Sequence, residues 1–199
     1  MSLMRAMQRT GVRTLVHLSS LAVYGKSSAQ LKEDMDFHYA YPNPYIKSQQ
    51  MVEEIIRDTA RTDSEWKIAI LRLSNIAGAL EQGILGEFVM PLPKNIVPLA
   101  MQAGAMQRDF IELRKHANTD DKTNERSFLH VLDACHAISK SLEWLSQQQQ
   151  VCEAFNIACE LISIQKLLDE IAEVTQTTIQ TVESSYYPNE ELDRLGADI

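Results

Sequence analysis

The chain has 199 residues, 45% hydrophobic and 23% charged, with a formal net charge of −8. This is the profile of an ordinary folded protein, long enough for one sizeable domain or a large and a small one. Its acidic balance argues against non-specific nucleic-acid binding while leaving room for a local basic pocket. Cys135, Cys152 and Cys159 show neither pairing arithmetic nor metal-ligand spacing, and read as reduced, buried structural thiols of a cytoplasmic protein. No window offers the roughly 18 apolar residues of a membrane span, and the opening MSLMRAMQRTG has no signal core.

In chain order, residues 2–10 read as a short helix closed by Gly11, and 13–18 as a strand rich in Val, Leu and Thr. The strand runs into Ser19-Ser20-Leu21-Ala22-Val23-Tyr24-Gly25. A short apolar strand that ends in polar groups is what a parallel sheet places at the mouth of its binding crevice. Residues 26–42 are polar and read as a loop. Pro42 and Pro44 then punctuate the entry to a helix that ends before Asp63, with Tyr45, Met51, Val52, Ile55 and Ile56 as its apolar positions. Lys67–Leu73, KIAILRL, is a second buried strand, and it feeds a small-residue loop, Ser74–Ala79.

Residues 80–93 read as a loop, and a helix follows Asn95 through about Ala103. Phe110–Leu113 reads as a short strand, 115–125 as an exposed polar loop, and Asp133–Ser146 as an amphipathic helix with Ala134, Ala137, Ile138, Leu142 and Leu145 on one stripe. Residues 154–158 read as another strand. Ser163 is an acceptable N-cap for a helix from Ile164 to about Thr175. Thr177–Val182 reads as a last strand, with a tail from Tyr186. None of the five histidines is expected to hold a metal.

Two motifs carry a resemblance. SSLAVYG is followed, 25 positions after Ser20, by Tyr45 in the context Asn43-Pro44-Tyr45-Ile46-Lys47-Ser48. The combination resembles the extended short-chain dehydrogenase/reductases, and within them the NAD-dependent nucleotide-sugar epimerases and dehydratases, with UDP-glucose 4-epimerase the nearest type. The resemblance implies an α/β fold: part of a Rossmann-like parallel sheet with flanking helices, over 1–79, and a smaller substrate-binding region over 80–199 whose segments near 126–160 return to the sheet. It implies that Ser20 and Tyr45 share the proton of a sugar hydroxyl oxidised at C4, with NAD as cofactor and a UDP-sugar as substrate.

Further segments match in the same order. LRLSNIAGA resembles the family's LRxxNxxGA and makes Asn75 a sugar- or diphosphate-binding residue. Asn95-Ile96-Val97-Pro98 resembles a segment packed against the nucleotide base. RSFLHVLD resembles RDYIHVxD, whose Arg clamps the diphosphate, here Arg126; a guanidinium fork suits phosphate oxygens.

Two departures stand out. The family's Lys four residues after the Tyr, which holds the nicotinamide ribose and favours the phenolate, is Gln49 here. A free tyrosine titrates near ~10, and a neutral amide favours the anion far less than an ammonium does. Lys47 lies about 200° round the helix from Tyr45 and points elsewhere. The opening strand and GxxGxxG turn that cradle the NAD pyrophosphate are also absent from these 199 residues. The isolated chain is therefore expected to be inactive or severely impaired, or to act as a nucleotide-sugar-binding or interaction module. The strand at 15–18, lacking a neighbour on one side, is expected to invite a homo-oligomer or another pairing chain.

Overall fold

The computed structural model describes residues 2–25, 31–39, 42–80, 83–87, 93–184 and 192–197. Parts of the loops expected at 26–42 and 80–93, residue 185, and residues 186–191 and 198–199 of the expected tail lie outside the described residues.

Three parallel strands form the first sheet: β1 (Thr14–Ser20), β2 (Lys67–Leu73) and β6 (Val151–Ile157), in the order β1-β2-β6. A central parallel strand is covered on both faces and so carries a continuous apolar run; in β2, Ile68, Ala69, Ile70 and Leu71 are all buried. On one face Ile68, Ile70 and Leu15 pack against Met4 and Met7 of α1 (Ser2–Thr10), Ile56 and Ala60 of α2 (Pro44–Thr62), and Trp66. On the other, Ala69, Leu71 and Leu73 meet Ala134 and Leu145 of α4 (Val131–Ser146). β1 has β2 as its single neighbour among the described residues.

The second layer of structure is built from short strands. β3 (Asn75–Ala77) pairs parallel with β5 (Glu125–His130), which also pairs antiparallel with β7 (Leu161–Ser163) and parallel with β9 (Arg194–Leu195). β4 (Ile111–Leu113) pairs with β8 (Thr181–Glu183). α3 (Ile96–Gly104) and α5 (Ile164–Thr175) pack on this pair through Ala100, Ala103, Ile111, Leu113 and Leu168. Ser163 caps α5 as expected, its Oγ accepting from Lys166 N at 3.1 Å.

Several expectations are corrected. The Ser74–Ala79 loop contains β3, because Asn75–Ala77 finds a backbone partner in Phe128–His130. The strand expected over Thr177–Val182 is shorter and shifted, Thr181–Glu183, and is followed by β9. The region read as a tail returns to the body: Leu192 and Ala197 are buried and Ala197 bridges Leu31. Cys135 is exposed and Cys152 and Cys159 are half-buried, not buried, and all three are free. Cys135 sits one residue beyond buried Ala134, a rotation of about 100° that turns it outward. Leu142 on the same helix is exposed as well. In α2 the apolar positions Tyr45, Met51 and Val52 face solvent, while Gln50 and Glu53 share the buried face with Ile46, Ile56 and Ala60.

Candidate active site

The carboxyl ends of the three parallel strands carry a rank of polar residues. Ser19, Arg72 and Asn156 are register partners across β1, β2 and β6. Arg72 is 2% exposed and its guanidinium meets the fully buried Glu53 carboxylate, with Nη2–Oε2 2.8 Å and Nε to the two oxygens at 3.1 and 3.2 Å. Ser19 Oγ donates to Glu53 Oε1 at 2.6 Å. On its other side Arg72 Nη1 donates to the Tyr24 hydroxyl at 2.6 Å, and Tyr24 donates to Asn156 Oδ1 at 2.8 Å. The guanidinium also lies over the Tyr24 and Phe37 rings. Burial on its own lowers the Arg72 pKa, but the Glu53 hydrogen bonds and charge outweigh it, leaving the group above its ordinary value. Burial raises the Tyr24 phenol, and Arg72 offsets only part of that. The network pins the end of β1, the turn after it and α2 to one another.

Ser20 ends β1 and starts a short 3-10 turn, Leu21–Tyr24. Its φ of −136° and ψ of 147° are extended, and its Oγ accepts from Ala22 N at 3.2 Å, fixing the hydroxyl at the turn. Tyr45 is the second residue of α2. Asn43 Oδ1 accepts from Tyr45 N at 3.0 Å and Ile46 N at 3.2 Å, and Pro44 supplies a pre-set φ at the first helical position. Gln50 Nε2 donates to Val23 O at 2.6 Å, and Ile46 packs on Ala22. The hydroxyl and the phenol thus belong to two elements in direct contact. The Tyr45 side chain is exposed; Gln49, one turn on, is half-buried, and Lys47 is exposed.

A cleft of ≈ 330 Å³ opens where the chain leaves β2, with Asn75 in its lining and Ser20 and Tyr45 outside it. Asn75, Asn95 and Arg126 all line it, so three residues far apart in sequence meet in one place. Asn75 is two residues beyond Leu73, the register partner of Ser20. Asn95 stands at the N-cap position of α3 without capping it; its Nδ2 donates to Glu87 Oε1 at 2.9 Å. Arg126 is half-buried, and its Nη1 donates to the carbonyls of Glu125 at 2.9 Å and Asp193 at 3.3 Å. Arg194 of β9 pairs with Glu125 at 2.7 Å.

Lys94, Arg114, Asn124 and Glu112 also line the cleft and were not legible in the sequence. Arg114 stands at the head of a strongly polar run, where nothing marks one charge from the next. Glu53 and Arg72 were missed because single charges inside apolar patterns carry no sign of their pairing. Among the described residues no group of His, Cys, Asp and Glu could hold a metal ion, and no helix is long and apolar enough to cross a membrane.

The NAD dependent epimerase/dehydratase family model matches residues 1–158. The chain belongs to that family. Among the family's epimerases, UDP-glucose 4-epimerase 2 of Oryza sativa subsp. japonica is 37% identical over 160 residues, covering 78% of this chain and 38% of the rice protein. UDP-glucose 4-epimerase of Dictyostelium discoideum is 32% identical over 159 residues, covering 79% of this chain and 46% of its own. The crystal structure of UDP-glucose-4-epimerase from Stenotrophomonas maltophila, with bound NAD and formylated UDP-arabinopyranose, superposes with a TM-score of 0.90 at 26% identity, over 98% of this chain and 58% of that one. The chain therefore spans less than half the length of these two curated relatives. The expected α/β, Rossmann-like class of the epimerase/dehydratase family is the observed one.

The fit of NAD to the residues present is partial. Tyr45 and Gln49, which the sequence resemblance assigns to the nicotinamide ribose, stand one turn apart at the start of α2. Among the described residues, none of the seven glycines both follows a strand and opens a helix, the arrangement a dinucleotide pyrophosphate loop requires.

Proposed function

We propose that this chain carries the proton-handling pair and the nucleotide-sugar cleft of an NAD-dependent UDP-sugar 4-epimerase. The observation that supports this best is the meeting of Asn75, Asn95 and Arg126 in one cleft, two residues along the chain from the strand end that pairs with Ser20. In this reading Arg126 and the asparagine amides hold the diphosphate and nucleotide. Ser20 and Tyr45 hold and move the proton of the sugar C4 hydroxyl, a role that requires each to reach it within hydrogen-bond distance. NAD, when bound, supplies the redox chemistry at C4, and Tyr45 and Gln49 are the residues here that would touch its ribose.

Gln49 favours a second reading, in which the chain binds a nucleotide sugar without turning it over. No ammonium stands one turn after Tyr45, and an amide stabilises a phenolate poorly. Association through the edge of β1 that has no strand neighbour among the described residues, with a second copy or a partner strand, belongs to either reading, as does a cytoplasmic setting.

Calorimetry with UDP and UDP-glucose, beside a UDP-glucose epimerase assay with added NAD, tests both. Binding with turnover supports the first reading and binding without turnover the second. No heat with millimolar ligand refutes both.

A further inference from the structure

The cleft holds more positive charge than its three matching residues account for. Lys94 and Arg114 line it beside Arg126, and Glu112 is its one carboxylate among the described lining residues. Arg126 and Arg114 reach it from different sheets. Arg126 is on β5, whereas Arg114 directly follows β4. The end of β4 is held firmly: Leu113 is buried, its carbonyl accepts from Ser184 N at 3.2 Å, and its register partner is Glu183. Ile96 and Ile164, the first residues of α3 and α5, also line the cleft, so two helix amino termini add their partial positive charge.

One guanidinium suffices for a single phosphate group. Two planar forks, one on β5 and one just past the end of β4, with Lys94 ahead of α3 as a third cation, suit two linked phosphates. We propose that Arg114 is a second phosphate-binding guanidinium of this cleft, acting with Arg126, so that the cleft selects a diphosphate over a monophosphate. The inference rests on the nucleotide-sugar reading above and adds to it a specificity-determining residue that lies outside the matching motifs.

Calorimetry on the full chain with UDP, UMP and uridine tests it, with Arg114→Gln and Arg114→Lys variants whose folding is checked by circular dichroism and urea midpoint. A hydrogen bond to a charged group is worth enough to change a dissociation constant about tenfold or more. The expected result is UDP binding at least about tenfold tighter than UMP, an R114Q loss of about tenfold for UDP, and no change for uridine. R114K keeps the charge but not the fork, and is expected to lose part of the UDP affinity. It decides the matter should R114Q fail to fold. UDP bound equally by the parent and by a folded variant overturns the role of Arg114 and leaves the nucleotide-sugar reading standing. A parent chain that binds neither UDP nor UDP-glucose overturns both.

Discussion

Glu53→Ala is the most informative single change. Glu53 is fully buried; it accepts from Ser19 and faces Arg72, itself 2% exposed, through three contacts of 2.8–3.2 Å. Removing it strands a guanidinium whose remaining partners, the Tyr24 hydroxyl and the Glu33 carbonyl, are neutral. Breaking a buried pair by deleting one partner costs about 3–5 kcal/mol, against a total domain stability of about 5–15 kcal/mol. With a urea m-value of about 2–3 kcal/mol/M, the midpoint falls by about 1–2.5 M. The double variant Glu53→Leu/Arg72→Met removes both charges, and its loss is expected to fall short of the sum for Glu53→Leu and Arg72→Met made singly by about 0.5–3 kcal/mol. A single-variant loss below about 1 kcal/mol, within the range of exposed ion pairs, or strict additivity, would refute the view that this pair fastens α2 to the strand ends.

Three further outcomes are expected. His17 lies in β1 with its Nε2 buried and without a hydrogen-bond partner among the described residues; burial depresses its pKa, and Glu53 only partly restores it. Below about pH 6.5 the unfolded chain takes up a proton that the folded chain resists, so stability falls as pH falls through that value. His17→Leu should flatten that slope in urea titrations at pH 5.5 and 7.5, and an unchanged slope would exclude His17 as its source. Gly78 has a φ of +88°, and a Cβ there would overlap the His130 imidazole. Gly78→Ala should cost about 1–3 kcal/mol, part of it recovered by His130→Ala, since the backbone strain remains when the clash is gone. Gln49→Lys places an ammonium one turn after Tyr45 and should raise UDP-glucose turnover with added NAD, whereas Lys47→Gln should leave it unchanged because Lys47 is exposed on another side of α2. Equal rates for Gln49→Lys and its parent would show that the amide is not what limits the chemistry.

Local signals located the larger elements well. The unbroken apolar run KIAILRL became β2, the Asn43-Pro44 pair set the start of α2, and Ser163 capped α5, because each feature acts within a few residues of itself. The face of α2 was misread for the opposite reason. Apolar residues predict burial only when the surface opposite is apolar, and the part of α2 nearest the strand ends meets Arg72, so Gln50 and Glu53 go inward while Met51 and Val52 remain outside. β3, β7 and β9 were missed because strands of two or three residues exist only through their partner on β5.

The sequence by itself determined the class of the fold, the family resemblance, and Ser20, Tyr45, Asn75, Asn95 and Arg126 as candidates, since spacing and residue type are written along the chain. Tertiary structure alone decided that the last three share a cleft, that Arg114 and Lys94 join them, and that Glu53 and Arg72 tie the strand ends to α2. Charges separated by tens of residues become partners only when the backbone brings them within a few ångströms, and the strength of that pairing depends on a burial that no local pattern encodes.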